Sequence, residues 1–488
     1  MLRHHFEARE LRRLGLPEPD KALLPRPDLP PGTDLLPQIK HIVVLMMENH
    51  SYDNYLGMLR DRGDGFPLGP DDAPEAANPD ATGGKVRAHH LSSTRQVPSV
   101  PSQTWHATHL QWDGGSCEGF VRGVATAPRS ARRHLPRGGA ALPMGYWSED
   151  DLPFYYGLAR TFPLADRWFC SCLGPTFPNR RFLISGTAHG LIDDLPFDIV
   201  DYPEAGTIFD LLTRNGISWV NYHPVKRWRT IVRRAAGGSG IAVARRLLSL
   251  GRWFPPLVSA VRGNKTFTAD LYPLGLARCL LHLRSIEQFF ADADAGTLPA
   301  FSIVDPDFEG YSEENPQDIR KGESFAAEVI KAVMHGKGWP DTLLIWTYDE
   351  HGGYYDHVPP PEAVPPDDIE GRPLRGLPGW LQAGLRPLFP GYFAAQETAD
   401  QGPHRYDRYG FRVPTVIVSP YARPDYVSSE VFDHTSVLKL AELKWNLPPL
   451  TRRDAAAAAP LDALDFDSPP AFAQPPELPA PSLKWGSW

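Results

Sequence analysis

The chain has 488 residues, a formal net charge of −8, 42 % hydrophobic residues and 22 % charged residues. This is the composition of a folded globular protein, and it excludes a disordered or collagen-like chain. The negative charge argues against a dedicated nucleic-acid-binding protein, so we expect no nucleic acid among its partners.

The sequence contains no obvious membrane or export segment. Its apolar runs fall short of the ~18 residues that a spanning helix needs. Residues 1–15 lack the apolar stretch and cleavage site of a secretory signal. Four cysteines are too few for a disulfide scaffold, and their spacing fits no zinc site. We therefore expect a cytoplasmic protein, or one peripheral to a membrane.

The residue composition divides the chain into three parts. Residues 1–38 form a Pro-rich N-terminal lead-in, residues 39–446 the main domain, and residues 447–488 an Ala/Pro-rich tail that we expect to wrap the surface. A main domain of this length is compatible with one unit, because large α/β enzymes often exceed the usual domain size.

Strands and helices alternate along the main domain. In chain order the predicted elements are a buried strand at 39–47, a Gly/Pro/Asp-rich loop at 60–102, a helix at 207–215, a strand at 217–222, a helix at 321–334, and strands at 342–348 and 413–419. The strands are too apolar to face water. This pattern predicts an α/β fold with a mainly parallel sheet covered on both faces.

One segment, 226–265, contains ten lysines and arginines and no acid, interleaved with tryptophan and leucine. It predicts a basic helical insertion or lid. Its charges could simply be solvated. Alternatively, basic residues beside tryptophan and leucine suit the headgroup boundary of an anionic membrane, or could steer an anionic substrate.

Polar side chains follow two of the predicted strands. Glu48 and Asn49 follow the first, and Asp349 and Glu350 follow the strand at 342–348. Ligands collect beyond the carboxyl ends of strands in open α/β sheets, and oxygen ligands favour a hard cation such as Mg²⁺, Ca²⁺ or Mn²⁺. The alternative is that these side chains only cap the following turns.

A third motif surrounds Thr176. Pro178, at an expected first helical position, indicates that a helix begins just after Thr176. A hydroxyl at a helix N-terminus is well placed for phosphate chemistry, and metal coordination would activate it as a nucleophile. The alternative is that Thr176 is an ordinary N-cap.

The motifs together resemble the bacterial non-specific phospholipase C and acid phosphatase family of phosphoesterases, to which the plant non-specific phospholipases C are similar. The resemblance runs from about residue 39 to residue 467. It rests on five ordered motifs: HIVVLMMENHSYDNYLG, GPTFPNRRFLISGT, KGESFAAEVIKAVM with TLLIWTYDEHGGYYDHVPPP, YGFRVPTVIVSPYAR and FDHTSVLKLAE.

The resemblance implies an alkaline-phosphatase-like α/β/α sandwich, with 39–446 as a phosphoesterase catalytic domain. It implies one divalent metal ion, of the Mg, Ca, Mn or Zn type, held by Glu48, Asn49, Asp349, Glu350 and Thr176. Thr176 would be the nucleophile and form a phospho-threonine intermediate. Further catalytic candidates are Arg180, His357 and His434, and His351 is a candidate substrate ligand; each could also be purely structural.

Two positions depart from the family pattern. Gln103 and Asn315 stand where relatives commonly have histidines that handle phosphate. Glutamine and asparagine donate hydrogen bonds but cannot carry the charge of imidazole. We include Gln103, Asn315 and the nearby His106 in the predicted substrate-binding set, with His106 as a possible replacement for one missing histidine.

The resemblance predicts a hydrolase that cleaves a phosphomonoester or phosphodiester, with a phospholipid as one candidate substrate. Two alternatives stay open. One is a phosphoryl or phosphodiester-group transferase that uses the same nucleophile. The other is a weakened binding protein for phosphorylated ligands or lipid headgroups, suggested by Gln103 and Asn315. A sulfatase is excluded because Cys172 does not lie in a Cys-x-Pro-x-Arg motif.

Overall fold

The computed structural model describes most of the predicted main domain and the tail. The described residues are 20–60, 62–98, 100–124, 135, 139–194, 202–224, 271–272, 280–372, 383–384, 386–387 and 405–486. The predicted basic insertion, 226–265, lies outside them.

Twelve strands are found within the described residues. They are β1 His41–Met47, β2 Ala77–Pro79, β3 Lys85–Arg87, β4 His89–His90, β5 Gly145–Tyr146, β6 Leu164–Ala165, β7 Trp219–His223, β8 Leu283–Ser285, β9 Phe301–Val304, β10 Thr342–Tyr348, β11 Val416–Val418 and β12 Val427–Ser428.

The α-helices of the same residues are α1 Tyr52–Leu56, α2 Trp105–Trp112, α3 Phe120–Gly123, α4 Pro153–Thr161, α5 Thr176–Ser185, α6 Ile208–Arg214, α7 Ile286–Ala295, α8 Ile319–His335, α9 Thr435–Trp445 and α10 Arg452–Ala456. Short 3₁₀ helices lie at Lys21–Leu23, Asp113–Gly115, Gly139–Met144, Leu280–His282 and Trp339–Asp341.

Eight strands form the central sheet, in the order β12-β6-β11-β10-β1-β9-β7-β8. The run β10-β1-β9-β7-β8 is parallel throughout. Helix α8 packs against β10, α7 and α4, and α5 packs against α9 and α6. The predicted α/β sandwich with a mainly parallel central sheet is therefore confirmed.

The two central strands, β1 and β10, are the strands that the sequence predicts most accurately. Every residue of β10 is buried, as are the last six of β1. A strand buried on both faces must be apolar throughout, because neither face meets water. Their register pairs Met47 with Tyr348, so both chains leave the sheet at the same edge.

Two predicted elements differ from the structure. The strand predicted at 413–419 is only Val416–Val418, and it runs antiparallel to β10. The predicted loop at 60–102 contains the short pair β2–β3 and the strand β4. Short apolar runs do not encode strand direction, because direction depends on how the intervening chain crosses the sheet.

The predicted helices are confirmed, with small shifts at their ends. Helix α6 begins after Thr207, which forms a capping box with Asp210. Helix α8 is longer than predicted, because Asp318 caps it by accepting a hydrogen bond from the Arg320 amide.

The two flanking segments pack on the main domain. In the lead-in, Asp34 forms an ion pair with Lys444 of α9 at 2.7 Å. In the tail, the Phe472 carbonyl accepts a hydrogen bond from Trp339 Nε1 at 2.9 Å, and Trp485 contacts Phe290. None of the described helices combines the length and apolar character needed to cross a bilayer.

Candidate active site

Four side chains meet at one edge of the central sheet. Glu48 and Asn49 follow β1, and Asp349 and Glu350 follow the neighbouring parallel strand β10. The backbone amide of Asn49 donates a hydrogen bond to Asp349 Oδ1 at 3.1 Å. All four side chains are buried. The structure thus brings together the two predicted pairs, 300 residues apart in sequence.

The electrostatics of this cluster are unfavourable without a cation. Burial, together with the charges of Glu314 and Asp349, raises the pKa of Glu48 well above its ordinary value. Burial and the charge of Asp349 likewise raise the pKa of Glu350. Carboxylates cannot all stay ionised at such close range in a dry site unless a positive charge offsets them.

Several polar atoms of the cluster have no hydrogen-bond partner although they are buried. They include Glu48 Oε2, both side-chain polar atoms of Asn49, and Glu350 Oε1. Buried oxygens without donors are costly, and oxygens of this type are the ligands that hard divalent cations prefer. The donor set therefore fits a hard divalent metal ion.

The alternative of turn capping accounts for only part of the cluster. Asp349 Oδ1 accepts from the Glu350 amide at 2.8 Å, and Glu350 Oε2 accepts from the Gly352 amide at 2.8 Å. These are turn hydrogen bonds of the expected kind. They leave Glu350 Oε1 and Glu48 Oε2 unpartnered, so capping alone does not satisfy the site.

Arg180 is a buried cation in contact with the cluster. Its Nε lies 2.9 Å from Asp349 Oδ2, and its Nη1 lies 3.5 Å from Asp305 Oδ1. Its Nη2 donates to the Met47 carbonyl at 3.1 Å. The predicted catalytic arginine therefore fixes the ends of both central strands, and its charge is engaged by Asp349 and Asp305.

Thr176 is the first residue of α5, and the residue in the N-cap position is Pro175. The predicted boundary is therefore one residue late, and Pro178 is the third helical residue. The alternative that Thr176 is an N-cap is wrong. Thr176 is already helical, and the Phe177 amide donates to Asp194 Oδ1 at 3.0 Å.

Thr176 and Arg180 are four residues apart on α5. Residues at this spacing lie on the same face of a helix, one turn apart. Arg180 contacts Asp349, so this face of α5 is the one turned toward the strand ends. The structure thus places the predicted nucleophile one helical turn from a residue in contact with the acidic cluster.

His351 is held in one tautomer. Gln111 Nε2 donates to the Ser102 carbonyl, so Gln111 Oε1 accepts from His351 Nε2 at 2.8 Å. The lone pair of His351 Nδ1 then lies 3.4 Å from Glu350 Oε2, and that nitrogen has no hydrogen-bond partner. Burial lowers the pKa of His351 to about 3. An unprotonated imidazole nitrogen beside a carboxylate is a further atom that could bind a cation.

His434 joins α9 to the strand end. Its Nε2 donates to the Asp349 carbonyl at 2.7 Å, and its Nδ1 accepts from Trp168 Nε1 at 3.5 Å. Burial lowers the pKa of His434. These contacts agree with the structural alternative, in which His434 holds a loop in place.

His357 belongs to a second cluster, formed around Arg412. His357 Nδ1 lies 2.8 Å from Asp53 Oδ2, and Arg412 contacts Asp53 and Asp356 at 3.2 and 3.0 Å. Burial alone would lower the pKa of His357, but its hydrogen bond to Asp53 and the nearby acids raise it to about 9.

Asp53, Asp356 and His357 each offer an atom within 4.8 Å of the others, a spacing that could hold a metal ion. The buried guanidinium of Arg412 already contacts both of these carboxylates. A second cation there would be repelled by Arg412, so the strand-end cluster is the better candidate for a metal site.

The remaining predicted substrate ligands lie in two segments that also carry residues in contact with the site. Gln103 and His106 flank the start of α2, the helix that carries Gln111, and both are partly exposed. Asn315, also partly exposed, follows Glu314, whose charge acts on Glu48.

Sequence reasoning missed Gln111, Glu313, Glu314 and Asp194. Gln111 begins a stretch similar to a family motif, but nothing in that stretch assigns it a role, and the three acids lie in no motif and at no predicted strand end. The acids in the sequence Ser312-Glu313-Glu314 were a potential signal, since they precede a helix of the main domain and lie beside Asn315.

The amino-acid sequence matches the profile of the Phosphoesterase family over residues 39–448. It is 28 % identical to phospholipase C A of Mycobacterium tuberculosis, over 90 % of this chain and 80 % of that protein. It is 27 % identical to non-specific phospholipase C6 of Arabidopsis thaliana, over 90 % and 75 %. Identity to the non-hemolytic phospholipase C of Burkholderia pseudomallei is 29 %, over 90 % and 60 %.

Proposed function

Because this chain belongs to the Phosphoesterase family and is a hydrolase acting on phosphoric ester bonds, we propose that it is a metal-dependent enzyme of phospholipase C type that works through a phospho-threonine intermediate on Thr176. The catalytic domain comprises residues 39–446. Its substrate is a phosphodiester or phosphomonoester, with a glycerophospholipid favoured by the names of the relatives.

The observation that carries this proposal is the set of unpartnered oxygens at the strand ends, on Glu48, Asn49 and Glu350. These residues, with Asp349 and Thr176, would hold one divalent ion. Such an ion lowers the pKa of a bound hydroxyl and offsets phosphate charge. Arg412 already contacts the second group of candidate ligands, Asp53, Asp356 and His357, so we assign no second ion there.

In the proposed reaction, Thr176 Oγ1 forms a bond to phosphorus while the bond to the alcohol oxygen of the substrate breaks. The Thr176 hydroxyl loses its proton as it attacks, and the departing alkoxide takes one up and leaves as the alcohol, so protons balance in this half-reaction. Water then forms a new bond to phosphorus as the bond to Oγ1 breaks, which restores the hydroxyl. Two displacements replace one difficult step, as in other covalent mechanisms.

Other residues of the site hold the proposed ligands and histidines in position. Arg180 fixes Asp349, and His434 holds the Asp349 carbonyl. Gln111 fixes the tautomer of His351. We propose that Gln103, His106 and Asn315 contact the phosphate-bearing substrate and that His357, whose pKa is raised to about 9, remains protonated near it at neutral pH.

Replacement of the nucleophile tests the covalent step. We expect Thr176→Ala to lower kcat for bis(p-nitrophenyl) phosphate by at least 10³-fold, and Thr176→Ser to retain a measurable fraction. Acid quenching of wild type during turnover should trap a peptide in which residue 176 carries a p-nitrophenyl phosphate group, detectable by mass spectrometry.

Thr342→Ala is a matched control, because Thr342 is also a buried threonine but lies at the opposite end of β10. It should keep near-normal kcat. Full activity in Thr176→Ala would overturn the covalent role of Thr176. Added alcohols that divert product into new phosphodiesters would identify a transferase instead.

A further inference from the structure

A buried carboxylate lies at the centre of a tyrosine cluster next to the active site. Tyr55 donates to Glu313 Oε2 at 2.9 Å and Tyr155 donates to Glu313 Oε1 at 2.7 Å. Tyr348 donates to the same Oε2. Glu313 and all three tyrosines are 0 % exposed. Three tyrosine hydroxyls around one carboxyl group form a satisfied buried network, which is rigid for that reason.

This network contacts the chain beside both strand-end pairs. Tyr348 is the last residue of β10 and directly precedes Asp349. On the other strand, His50 directly follows Asn49, and its Nε2 lies 3.1 Å from the Glu313 carbonyl oxygen. Glu313 therefore contacts the residue next to each ligand pair. Its side chain contacts Tyr348, and its backbone carbonyl contacts His50.

Ring packing strengthens the same connection. The His50 ring stacks on Tyr55 with centroids 4.1 Å apart, and it meets the edge of Tyr348 at 5.8 Å. Tyr55 and Tyr348 are two of the three Glu313 donors. A shift of either strand end would therefore break both hydrogen bonds and ring contacts.

Glu313 has an uncommon backbone conformation, and its side chain packs closely against a glycine. Glu313 has a φ of +78°, which is uncommon for a residue with a side chain. Its amide donates to Gln317 Oε1 at 3.2 Å. Its side chain passes over Gly322 of α8, where an added Cβ would lie 2.0 Å from Glu313 Cγ. Such a close approach requires glycine at residue 322.

We propose that Glu313 is a positioning residue that sets the spacing between the two strand-end ligand pairs. The inference rests on the proposed metal-dependent function. Residues that orient metal ligands without touching the metal commonly change metal affinity by 10–100-fold when they are replaced.

Two tyrosine variants separate positioning from general stability. Tyr348→Phe and Tyr155→Phe each remove one buried hydroxyl from the same carboxylate, but Tyr348 adjoins Asp349 whereas Tyr155 lies on α4. On metal-stripped full-length protein, Mn²⁺ binding is measured by electron paramagnetic resonance. We expect Kd to rise about tenfold in Tyr348→Phe and less than about twofold in Tyr155→Phe.

Hydrolysis gives a second readout. If Tyr348→Phe acts through the ligand spacing, its rate at limiting Mn²⁺ should fall and excess Mn²⁺ should restore most of it. Glu313→Gln keeps an acceptor and gains a donor that a tyrosine hydroxyl can accept, so it should bind Mn²⁺ within about threefold of wild type. Glu313→Ala should bind it at least tenfold more weakly.

Glu323→Gln is the stability control. Glu323 is a fully buried glutamate of α8 that accepts a hydrogen bond from the Phe154 amide. It should change the melting temperature without changing Kd for Mn²⁺. Equal Kd values for Tyr348→Phe and Tyr155→Phe, with wild type binding Mn²⁺ normally, would overturn the positioning role alone. Failure of wild type to bind Mn²⁺ would overturn the proposed metal site and this inference together.

Discussion

At the scale of single residues, Arg180 explains how an acidic cluster can exist in a dry interior. Its guanidinium contacts Asp349 and Asp305, so part of the negative charge is offset within the protein. Glu48 and Glu350 keep raised pKa values nevertheless, because burial and neighbouring acids disfavour their ionised forms. The negative charge that Arg180 leaves uncompensated is the physical reason to expect a bound cation.

Glu313 provides a prediction about pH and stability. Burial, partly opposed by its three tyrosine donors, raises its pKa from 4.5 to about 8. Between these values the folded protein keeps a proton that the unfolded chain has lost. The free energy of unfolding therefore falls as pH rises, by up to ~1.4 kcal/mol per pH unit from this group.

Glu313→Gln removes that titration. We expect the melting temperature of wild type, relative to that of the variant, to fall between pH 5 and pH 9, as measured by thermal unfolding in a pH series. The comparison is made in a Glu323→Gln background, because burial also raises the pKa of Glu323 to about 8 and its charge acts on Glu313. A constant difference in melting temperature from pH 5 to pH 9 would contradict the assignment.

At the scale of elements, the two turns after β1 and β10 fit closely against each other. Gly352 has a φ of +65°, and an added Cβ would lie 1.9 Å from the Asn49 carbonyl oxygen. The turn that follows Glu350 can therefore pass over Asn49 only if residue 352 is glycine.

We expect Gly352→Ala to lower hydrolysis at least tenfold and to lower the melting temperature, because the clash pushes the two turns apart. Activity on a soluble phosphodiester and thermal unfolding measure the two effects.

Gly83→Ala is the matched control, since Gly83 has a φ of +86° but open space around its Cβ position. It should cost only the backbone strain, on the order of 1 kcal/mol, and leave activity unchanged. Equal effects of the two substitutions would show that the contact with Asn49 is unimportant.

Element ends illustrate what local sequence signals can specify. Thr207 and Asp210 form a capping box, and the sequence predicts helix α6 to within one residue. The start of α5 is misplaced by one residue because Pro178 is compatible with the first helical turn as a whole, and only the observed backbone makes Pro175 the N-cap.

At the scale of the whole molecule, the basic segment 226–265 remains a prediction from the sequence. A cluster of ten cations beside tryptophan and leucine, in a protein with net charge −8, would bind anionic lipid by a salt-dependent attraction. The net charge alone would oppose such binding, so any attraction must be local.

We expect the protein to sediment with vesicles that contain phosphatidylglycerol at low salt and to be released at about 0.5 M salt, where the Debye length is only a few ångströms. Replacing the ten basic residues by glutamine should abolish binding. If vesicle binding survives deletion of the segment, or ignores salt and lipid charge, the segment is not an anionic-lipid contact. If deletion changes only substrate preference, the segment is a lid.

The sequence by itself determines the central strands, the main helices and the two polar pairs after β1 and β10, because buried strands need uninterrupted apolar residues and helices need periodic ones. Family motifs add Thr176 and Arg180. Only the tertiary structure decides that Glu313 contacts Tyr55, that Gln111 contacts His351, that His357 pairs with Asp53, and that β11 runs antiparallel. These outcomes depend on contacts between residues far apart in the chain, and no local pattern of residues encodes such contacts.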